Sequence, residues 1–232
     1  MKVAFITGGS RGIGYGIAEA LLDDGWAVSI TGRTEAGVAN AVEQLKSSGS
    51  DHVLGLTCDV RVMGDQERAV AKTIERFGRI DLLVANAGIG HFSPIETMDV
   101  AQWQETIDTN LTGVFFSVKA CLQSLMQTKG YIITISSLAG TNFFATASAY
   151  NASKFGLTGF TQAIMLDLRK HGIRVSTIMP GSVATDFNGN KHEQDEAWKI
   201  QIEDIGQMVR DLMRLNPRTL PSKIEVRPSS PG

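Results

Sequence analysis

Two side chains that can exchange a proton are four residues apart in the segment Tyr150-Asn151-Ala152-Ser153-Lys154. In a helix, residues i and i+4 share a face, so the Tyr150 phenol and the Lys154 ammonium can lie side by side. A phenol has a pKa of about 10, and proton transfer near neutral pH needs a pKa lower by about three units, which corresponds to roughly 4 kcal/mol. One positive charge about 4 Å away supplies roughly that much in an effective dielectric near 20. The pair is therefore a candidate proton donor and acceptor, with a solvated helix pair as the alternative.

A glycine-rich turn, Thr7-Gly8-Gly9-Ser10-Arg11-Gly12-Ile13-Gly14, follows an apolar run and opens a helical pattern. Glycine lets the backbone turn sharply and approach a pyrophosphate, whose charge then faces the helix N-terminus. The spacing Gly-x-x-x-Gly-x-Gly differs from the common dinucleotide motif Gly-x-Gly-x-x-Gly, and no Gly-Lys-Ser/Thr completes a nucleoside-triphosphate loop. The turn thus indicates a phosphate-bearing ligand, and a purely structural glycine turn is the alternative.

Polar residues follow several of the apolar runs at the point where each run ends. Asn86-Ala87-Gly88, Ser136-Ser137 and Pro180-Gly181 stand at three such positions. Because ligands of parallel sheets bind at the carboxyl ends of the strands, these groups are expected to meet in one crevice. Asn110 interrupts a helical pattern between apolar neighbours, so an inward amide there needs hydrogen-bond partners.

The elements that must position these groups alternate along the whole chain. Short continuous apolar runs are typical of buried parallel strands, and segments of helical period follow them. The predicted strands are Val3–Thr7, Ala27–Thr31, Val53–Thr57, Leu82–Ala85, Tyr131–Ser136, Val175–Met179 and Ile224–Arg227. The predicted helices are Gly14–Asp24, Thr34–Ser47 with Thr34 as N-cap, Met63–Phe77, Val100–Met126, Ser148–Lys170 and Gln194–Leu215. This order predicts one doubly wound α/β domain with helices on both faces of a parallel sheet.

Length and composition bound the class of protein. The chain has 232 residues, 43% of them hydrophobic and 20% charged, with a net charge of -2. This composition excludes wholesale disorder and argues against a nucleic-acid partner held through its phosphates. The longest uncharged stretch, 130–153, is interrupted by polar residues, and the first residues lack a signal-peptide pattern, so we expect no membrane partner and a cytoplasmic location. Two isolated cysteines, Cys58 and Cys121, and four scattered histidines predict neither a disulfide nor a metal site.

Together these motifs resemble the short-chain dehydrogenase/reductase family, in its single-domain branch that includes acyl-carrier-protein reductases. The resemblance covers nearly the whole chain, in order. One departure is Ala85, which stands where the family's Asn-Asn-Ala-Gly element has its first asparagine. The resemblance implies a Rossmann-like doubly wound parallel sheet of about seven strands in one domain, 1–232. The proline, serine and glycine residues of 228–232 predict a flexible tail.

The resemblance also implies a reaction and the residues that perform it. Asn110, Ser137, Tyr150 and Lys154 fall where the family's four catalytic residues fall. They imply hydride transfer between a nicotinamide and a carbonyl or secondary alcohol, with Tyr150 as general acid and base. Ser137 would orient the substrate oxygen, and Lys154 would lower the pKa of Tyr150 and bind the nicotinamide ribose. Asn110 would hold a water that relays protons from Lys154.

Cofactor contacts are implied along the same crevice. Asp59-Val60 resembles the pair that holds adenine, and the segment 180–185 resembles the one that binds the nicotinamide carboxamide. The full set is Gly8, Ser10, Arg11, Gly12, Ile13, Gly14, Arg33, Asp59, Val60, Asn86, Ala87, Gly88, Tyr150, Lys154, Pro180, Gly181, Val183 and Thr185.

The choice between the two nicotinamide cofactors depends on the end of the second predicted strand. An acidic residue there holds the ribose 2′-hydroxyl of NAD, but this sequence has Gly32 followed by Arg33. Arg11 adds a second guanidinium from the glycine turn. Two guanidinium groups suit a 2′-phosphate, so the sequence predicts NADP(H).

The substrate and the partners are less constrained. Residues 185–216 are expected to cover a small carbonyl or alcohol substrate, with Phe143, Phe144 and Phe187 as apolar walls. A 3-oxoacyl-carrier-protein-like substrate is one candidate, and sugars, steroids and small aldehydes remain open. Long apolar helices predict a homodimer or homotetramer.

Two other functions compete with the reductase. A catalytically silent dinucleotide-binding redox sensor would be favoured by loss of Tyr150 or Lys154, and both residues are present. A Rossmann-like methyltransferase would explain the glycine turn but neither that pair nor the two arginines.

Overall fold

The computed structural model describes residues 1–47, 51–185, 187 and 196–230. Within these ranges the strands are β1 (Val3–Ile6), β2 (Ala27–Gly32), β3 (Val53–Thr57), β4 (Leu82–Ala85), β5 (Tyr131–Ile135), β6 (Arg174–Pro180) and β7 (Lys223–Val226). They form a parallel sheet in the order β3-β2-β1-β4-β5-β6-β7, which confirms the predicted doubly wound fold. The chain reverses its direction of travel across the sheet between β1 and β4. A crevice therefore opens at the carboxyl ends of these two strands.

Each face of the sheet buries its own apolar core. Along β1, Phe5 and Ile6 point to opposite faces, and Leu83 and Val84 do the same along β4. Strands covered on both faces need apolar residues at every position, which is why their sequences run without alternation.

The described helices cover both faces of the sheet. They are α1 (Gly12–Asp23), α2 (Glu35–Ser47), α3 (Met63–Phe77), α4 (Val100–Ile107), α5 (Gly113–Thr128), α6 (Ser148–Leu168) and α7 (Ile202–Arg214). Thr34 caps α2 as predicted, because its hydroxyl accepts from the Gly37 N–H at 3.3 Å. Helices α1 and α7 cross so closely that a Cβ at Gly16 would lie 2.6 Å from the Ile202 carbonyl oxygen. In the described part of the chain, none of the helices has the length and apolarity to cross a bilayer.

The segment Val100–Met126 is not the single helix that the sequence predicted. A π-helical turn, Asp108–Thr112, separates α4 from α5. Its wider backbone places Asn110, which is fully buried, toward the crevice. The amide of Asn110 satisfies its hydrogen bonds there, and these bonds compensate for the irregular turn.

The helix predicted over Gln194–Leu215 begins later than expected. Ile200 pairs with Val183 in a parallel bridge, so its backbone cannot be helical. Helix α7 starts after Gln201, which forms a reciprocal capping pair with Asp204. Positions 194 and 195 lie outside the described residues, as do 186 and 188–193 of the predicted substrate cover and 231–232 of the predicted tail.

Candidate active site

The glycine turn between β1 and α1 folds against the end of β4. Gly8 and Gly12 have φ of +64° and +56°, a region that favours glycine. The Asn86 amide donates to the carbonyl oxygens of Thr7 at 2.9 Å and of Gly8 at 3.1 Å. A Cβ at Gly14 would lie 2.5 Å from this amide nitrogen, so a side chain at that position is excluded. Asn86 thus holds the turn in shape.

The same turn fits a dinucleotide pyrophosphate. Helix α1 begins at Gly12 and no side chain caps it at Arg11, so the N–H groups of its first turn are available to an anion. The absence of side chains at Gly8 and Gly12 lets a phosphate approach the backbone. Ser10, Gly12, Ile13 and Gly14 are the residues that would hold it.

The segment after β6 lies over this turn. Val183 pairs with Ile200, and the Ala184 N–H donates to the Ile200 carbonyl oxygen at 2.9 Å. The Thr185 methyl carbon lies 3.4 Å from where a Cβ of Gly12 would stand. The expected nicotinamide segment and the expected pyrophosphate turn are therefore in contact.

Tyr150 and Lys154 lie on one face of α6, as predicted. Lys154 is only 4% exposed, and its Nζ donates to the Ile135 carbonyl oxygen at 3.0 Å. The same Nζ lies 5.6 Å from the centroid of the Tyr150 ring. Burial lowers the pKa of Lys154 to about 8. The ammonium is thus anchored at the carboxyl end of β5, below the crevice.

The electrostatics of the Tyr150 phenol differ from the expectation. Burial raises its pKa, and a hydrogen bond with the Ser137 hydroxyl opposes that shift. The Lys154 ammonium lies over the ring face and donates to the Ile135 carbonyl oxygen. The Ser137 hydroxyl stabilises the ionised phenol, but burial has the larger effect on its pKa.

Ser137 is held by a short turn at the end of β5. Its Oγ accepts from the Ala139 N–H at 3.1 Å and caps the 3₁₀ turn Leu138–Gly140. A Cβ at Gly140 would lie 2.5 Å from the Thr158 hydroxyl of α6, so only glycine allows this close approach. The turn therefore fixes Ser137 relative to the helix that carries Tyr150.

Asn151 is a positioning residue that the sequence reasoning missed. Its Nδ2 donates to the carbonyl oxygens of Ala139 at 2.8 Å and Asn142 at 2.7 Å. These bonds attach the loop that contains Ser137 to α6. The one feature of the sequence that could have identified Asn151 is its position next to Tyr150. Its hydrogen-bond partners are not adjacent in the sequence, so they leave no local pattern.

Asn110 joins three parts of the site. Its Oδ1 accepts from the Ile89 N–H at 2.8 Å, and its Nδ2 donates to the Ile89 carbonyl oxygen at 2.8 Å and to the Ser153 hydroxyl at 3.0 Å. Ser153 in turn donates to the Tyr150 carbonyl oxygen at 2.7 Å. Gly88 is adjacent: a Cβ there would lie 3.3 Å from the Asn110 Oδ1. The side-chain amide locks the β4 loop to α6, so both of its hydrogens are already used.

At the expected adenine end, Asp59 does not present a free carboxylate. Arg61 donates to it through Nε at 2.9 Å and Nη2 at 2.6 Å. This guanidinium keeps the pKa of Asp59 below its usual range. Val60 is buried, with its carbonyl oxygen accepting from the Gln66 amide at 3.1 Å. An adenine at this edge would meet the Asp59–Arg61 pair instead of an isolated carboxylate.

Arg33 also has a partner that the sequence did not reveal. Its Nη1 lies 3.6 Å from Oε1 of Glu105, which also accepts from Arg61 Nη1 at 3.1 Å. The other Glu105 oxygen lies 3.0 Å from His91 Nε2. Arg33 remains 54% exposed in its side chain, so its guanidinium is reachable from solvent.

Packing explains why no acidic residue stands at the end of β2. A Cβ at Gly32 would lie 2.8 Å from the Ser10 hydroxyl and 2.9 Å from a Val38 methyl carbon. Ser10 therefore occupies the space that a side chain at Gly32 would need.

The chain is similar in sequence to proteins of one family. Residues 2–196 match the family described as short chain dehydrogenase. The chain is 34% identical over 232 residues to an uncharacterized oxidoreductase of Staphylococcus saprophyticus, a match that covers 98% of this chain and 97% of that protein. It is 36% identical over 209 residues to a 3-oxoacyl-(acyl-carrier-protein) reductase of Vibrio harveyi, covering 89% of this chain and 84% of the relative.

A solved structure gives the same result at the level of the fold. The alcohol dehydrogenase from the archaeon Thermococcus sibiricus, complexed with 5-hydroxy-NADP, superimposes with a TM-score of 0.93 at 30% identity. The superposition covers 100% of this chain and 99% of that one. The chain therefore belongs to the short-chain dehydrogenase/reductase family of oxidoreductases, which act on CH–OH or C=O groups.

Proposed function

We propose that this enzyme is an NADP(H)-dependent carbonyl reductase, or an alcohol dehydrogenase in the reverse direction, with Tyr150 as general acid and base. The observation that carries the proposal is the setting of the Tyr150 ring, which lies 5.6 Å from the Nζ of the buried Lys154, with the Ser137 hydroxyl close enough to the phenol to influence its pKa. Asn110 and Asn151 hold these groups together from two sides. A site built only for binding would not need a phenol and a hydroxyl that converge on one point.

The residues of the site divide the chemistry among them. A bound nicotinamide supplies or accepts the hydride equivalent. During reduction, the Tyr150 oxygen donates a proton to the carbonyl oxygen, and the Ser137 hydroxyl stabilises the charge that develops on that oxygen. Lys154 lies over the face of the Tyr150 ring, and burial lowers its pKa to about 8, so it can give up a proton near neutral pH. Oxidation of the alcohol uses the same groups in reverse.

We attribute the preference for NADP(H) to Arg33, after β2, and to Arg11, in the glycine turn. Arg33 is solvent-exposed and its contact with Glu105 is long, at 3.6 Å, so a 2′-phosphate can replace that carboxylate. Gly32 offers no acceptor to a free 2′-hydroxyl. The Thermococcus structure with an NADP derivative supports the same choice.

The direct test follows oxidation of NADPH and of NADH at 340 nm with a panel of ketones and aldehydes, and reduction of both oxidised cofactors with secondary alcohols. We expect turnover with NADPH at a kcat/KM at least about tenfold above that with NADH, the loss of one charge-assisted contact being worth roughly 1.5–3 kcal/mol. A protein that binds NADPH but turns over none of these compounds would instead be the silent redox sensor.

We also propose that the chain is one domain, that residues 185–216 cover the substrate, and that the enzyme is cytoplasmic.

We propose that the enzyme is a homodimer or homotetramer. Helices α5 and α6 expose Phe115, Phe155 and Leu166, at 44%, 39% and 57%, and this apolar surface suits such an interface. Light scattering that gives a monomer near 25.0 kDa would contradict the assembly. The name of the Vibrio relative makes a 3-oxoacyl thioester one substrate to test.

A further inference from the structure

Two phenylalanines contact the ring of Tyr150, a third contacts one of them, and all three remain open to solvent. The Phe92 ring lies 5.4 Å from the Tyr150 ring at an interplanar angle of 63°, and the Phe187 ring lies 6.0 Å from it at 58°. Phe144 extends the group, 5.9 Å from Phe92. We call Phe92, Phe144 and Phe187 the aromatic wall. Their exposed fractions of 44%, 53% and 37% leave much of each ring uncovered by the protein. Exposed apolar surface that is contiguous usually marks a binding site.

Two loops that carry the wall are fixed to each other. The Ser93 N–H donates to the Thr146 carbonyl oxygen at 2.8 Å, which joins the loop after β4 to the loop before α6. Thr146 has a φ of +67°, an unfavourable conformation for a β-branched residue. Asn151 Oδ1 accepts from the Phe144 N–H at 3.5 Å. Specific backbone contacts therefore hold the loops of Phe92 and Phe144 in place, in addition to the packing of their rings.

The two segments that carry Phe92 and Phe144 have almost no charge. Residues 137–152 contain no Asp, Glu, Lys or Arg. Between 86 and 95 the titratable side chain is His91, and its Nε2 is 3.0 Å from Glu105, on the adenosine side. A substrate with a carboxylate or phosphate next to its carbonyl would find no cation along these segments, and an unpaired charge is costly to desolvate.

We infer that the substrate is an uncharged ketone with a cyclic apolar substituent, or the matching secondary alcohol. The inference rests on the proposed function and narrows it. Aromatic rings favour edge-to-face and tilted contacts with another ring, and a rigid ring loses less rotational freedom on binding than an alkyl chain. In the reduction, the nicotinamide gives a hydride with its electron pair to the carbonyl carbon, and Tyr150 gives a proton to the oxygen. Ketone, reduced nicotinamide and one proton thus become secondary alcohol and oxidised nicotinamide.

The test compares methyl ketones that differ in one substituent. Acetophenone and cyclohexyl methyl ketone carry a ring, n-hexyl methyl ketone carries a chain of the same carbon count, and para-acetylbenzoate adds a charge. An acetoacetyl thioester of N-acetylcysteamine stands for the 3-oxoacyl class. We expect kcat/KM for the two cyclic ketones to exceed that for the chain and for the thioester by about tenfold. We expect kcat/KM for para-acetylbenzoate to be about a hundredfold lower than that for acetophenone.

A substitution in the wall links this preference to the named residues. Phe92→Leu keeps apolar bulk but removes the ring, so it should lower kcat/KM for acetophenone about fivefold to tenfold and leave n-hexyl methyl ketone within about twofold. The matched control is Phe77→Leu, on α3, whose ring contacts the Arg76 guanidinium away from the site. The control should change neither value. NADPH binding, measured by fluorescence in both variants, reports whether the cofactor site is intact.

The outcomes separate the inference from the proposed function. Turnover of n-hexyl methyl ketone or the thioester at a rate equal to acetophenone would overturn the inference and leave the reductase standing. Equal losses on cyclic and linear ketones in Phe92→Leu would also overturn it. Absence of turnover with every ketone and every alcohol would overturn both.

Discussion

The Lys154 ammonium lies over the face of the Tyr150 ring, 5.6 Å from its centroid, and donates to the Ile135 carbonyl oxygen at 3.0 Å. The Lys154 ammonium is therefore a nearly buried charge at the carboxyl end of β5. Such a charge reduces stability, because its hydration is lost on folding. The site thus keeps a destabilising group for its chemistry.

The first prediction concerns the pH dependence of stability. Burial lowers the pKa of Lys154 from 10.5 to about 8, so the unfolded chain binds the proton more tightly than the folded one. Between these two values the unfolded state holds more protons, and stability must rise with pH. The shift corresponds to about 3 kcal/mol at most. We expect the wild type to gain stability relative to Lys154→Met between neutral pH and pH ~10, as measured by urea unfolding.

The comparison with the variant isolates this lysine from the other groups that titrate in the same range. A difference in unfolding free energy that stays constant with pH would contradict the buried charge.

The second prediction concerns the 2′-phosphate. Arg33→Ala should weaken NADPH binding by about tenfold to a hundredfold and change NADH binding little, because only NADPH offers the phosphate. The loss should shrink at high salt, since the guanidinium is exposed. Isothermal titration with both cofactors at two salt concentrations measures this. Equal losses for both cofactors would mean that Arg33 supports the fold or the adenine instead.

Glu105 competes with that phosphate for Arg33, which leads to a third prediction. The exposed pair is worth about 1 kcal/mol or less, so Glu105→Gln should strengthen NADPH binding by up to about fivefold and leave NADH binding unchanged. In the Arg33→Ala background the same change should have no effect on NADPH. The matched control is Glu67→Gln, an exposed glutamate on α3. A gain that persists without Arg33 would refute the competition.

The fourth prediction follows from the packing of Gly32. An aspartate there would be the simplest way to seek NAD specificity, but its Cβ would lie 2.8 Å from the Ser10 hydroxyl. Gly32→Asp should therefore lower stability by about 1–3 kcal/mol before it changes cofactor choice. Ser10→Gly combined with Gly32→Asp should recover part of that loss and strengthen NADH binding. Thermal unfolding of both variants tests this, and an unaltered melting temperature for Gly32→Asp alone would be inconsistent with the contact.

The sequence predicts those parts of the molecule that depend on local patterns. The strands are continuous apolar runs, and Tyr150 and Lys154 share a helix face because of their spacing alone. The sites that sequence reasoning missed depend on partners that are far apart along the chain. Glu105 reaches Arg33 from another element, and Asn151 reaches the loop after β5. No periodicity records such contacts.

The two errors in the predicted helices have similar causes. The π turn at Asn110 is stabilised because its amide donates hydrogen bonds to Ile89 and Ser153. The helical pattern around Asn110 does not reveal these two partners. The delayed start of α7 reflects the bridge between Ile200 and Val183, a long-range pairing that overrides the amphipathic sequence around it.

The central claim is that Tyr150 moves the proton, and Tyr150→Phe tests it most directly. The ring and its packing against Phe92 remain in this variant, and only the hydroxyl is lost. The matched control is Tyr131→Phe, at the amino end of β5, whose hydroxyl forms a hydrogen bond with the Ser176 hydroxyl at 2.7 Å. Both variants should bind NADPH within a few-fold of the wild type.

The deciding measurement is kcat for ketone reduction with saturating NADPH in the two variants. We expect Tyr150→Phe to lose about a hundredfold to ten-thousandfold, the usual contribution of a positioned general acid, while Tyr131→Phe stays near the wild type. A kcat for Tyr150→Phe within about tenfold of the wild type would contradict the proposed role of this residue.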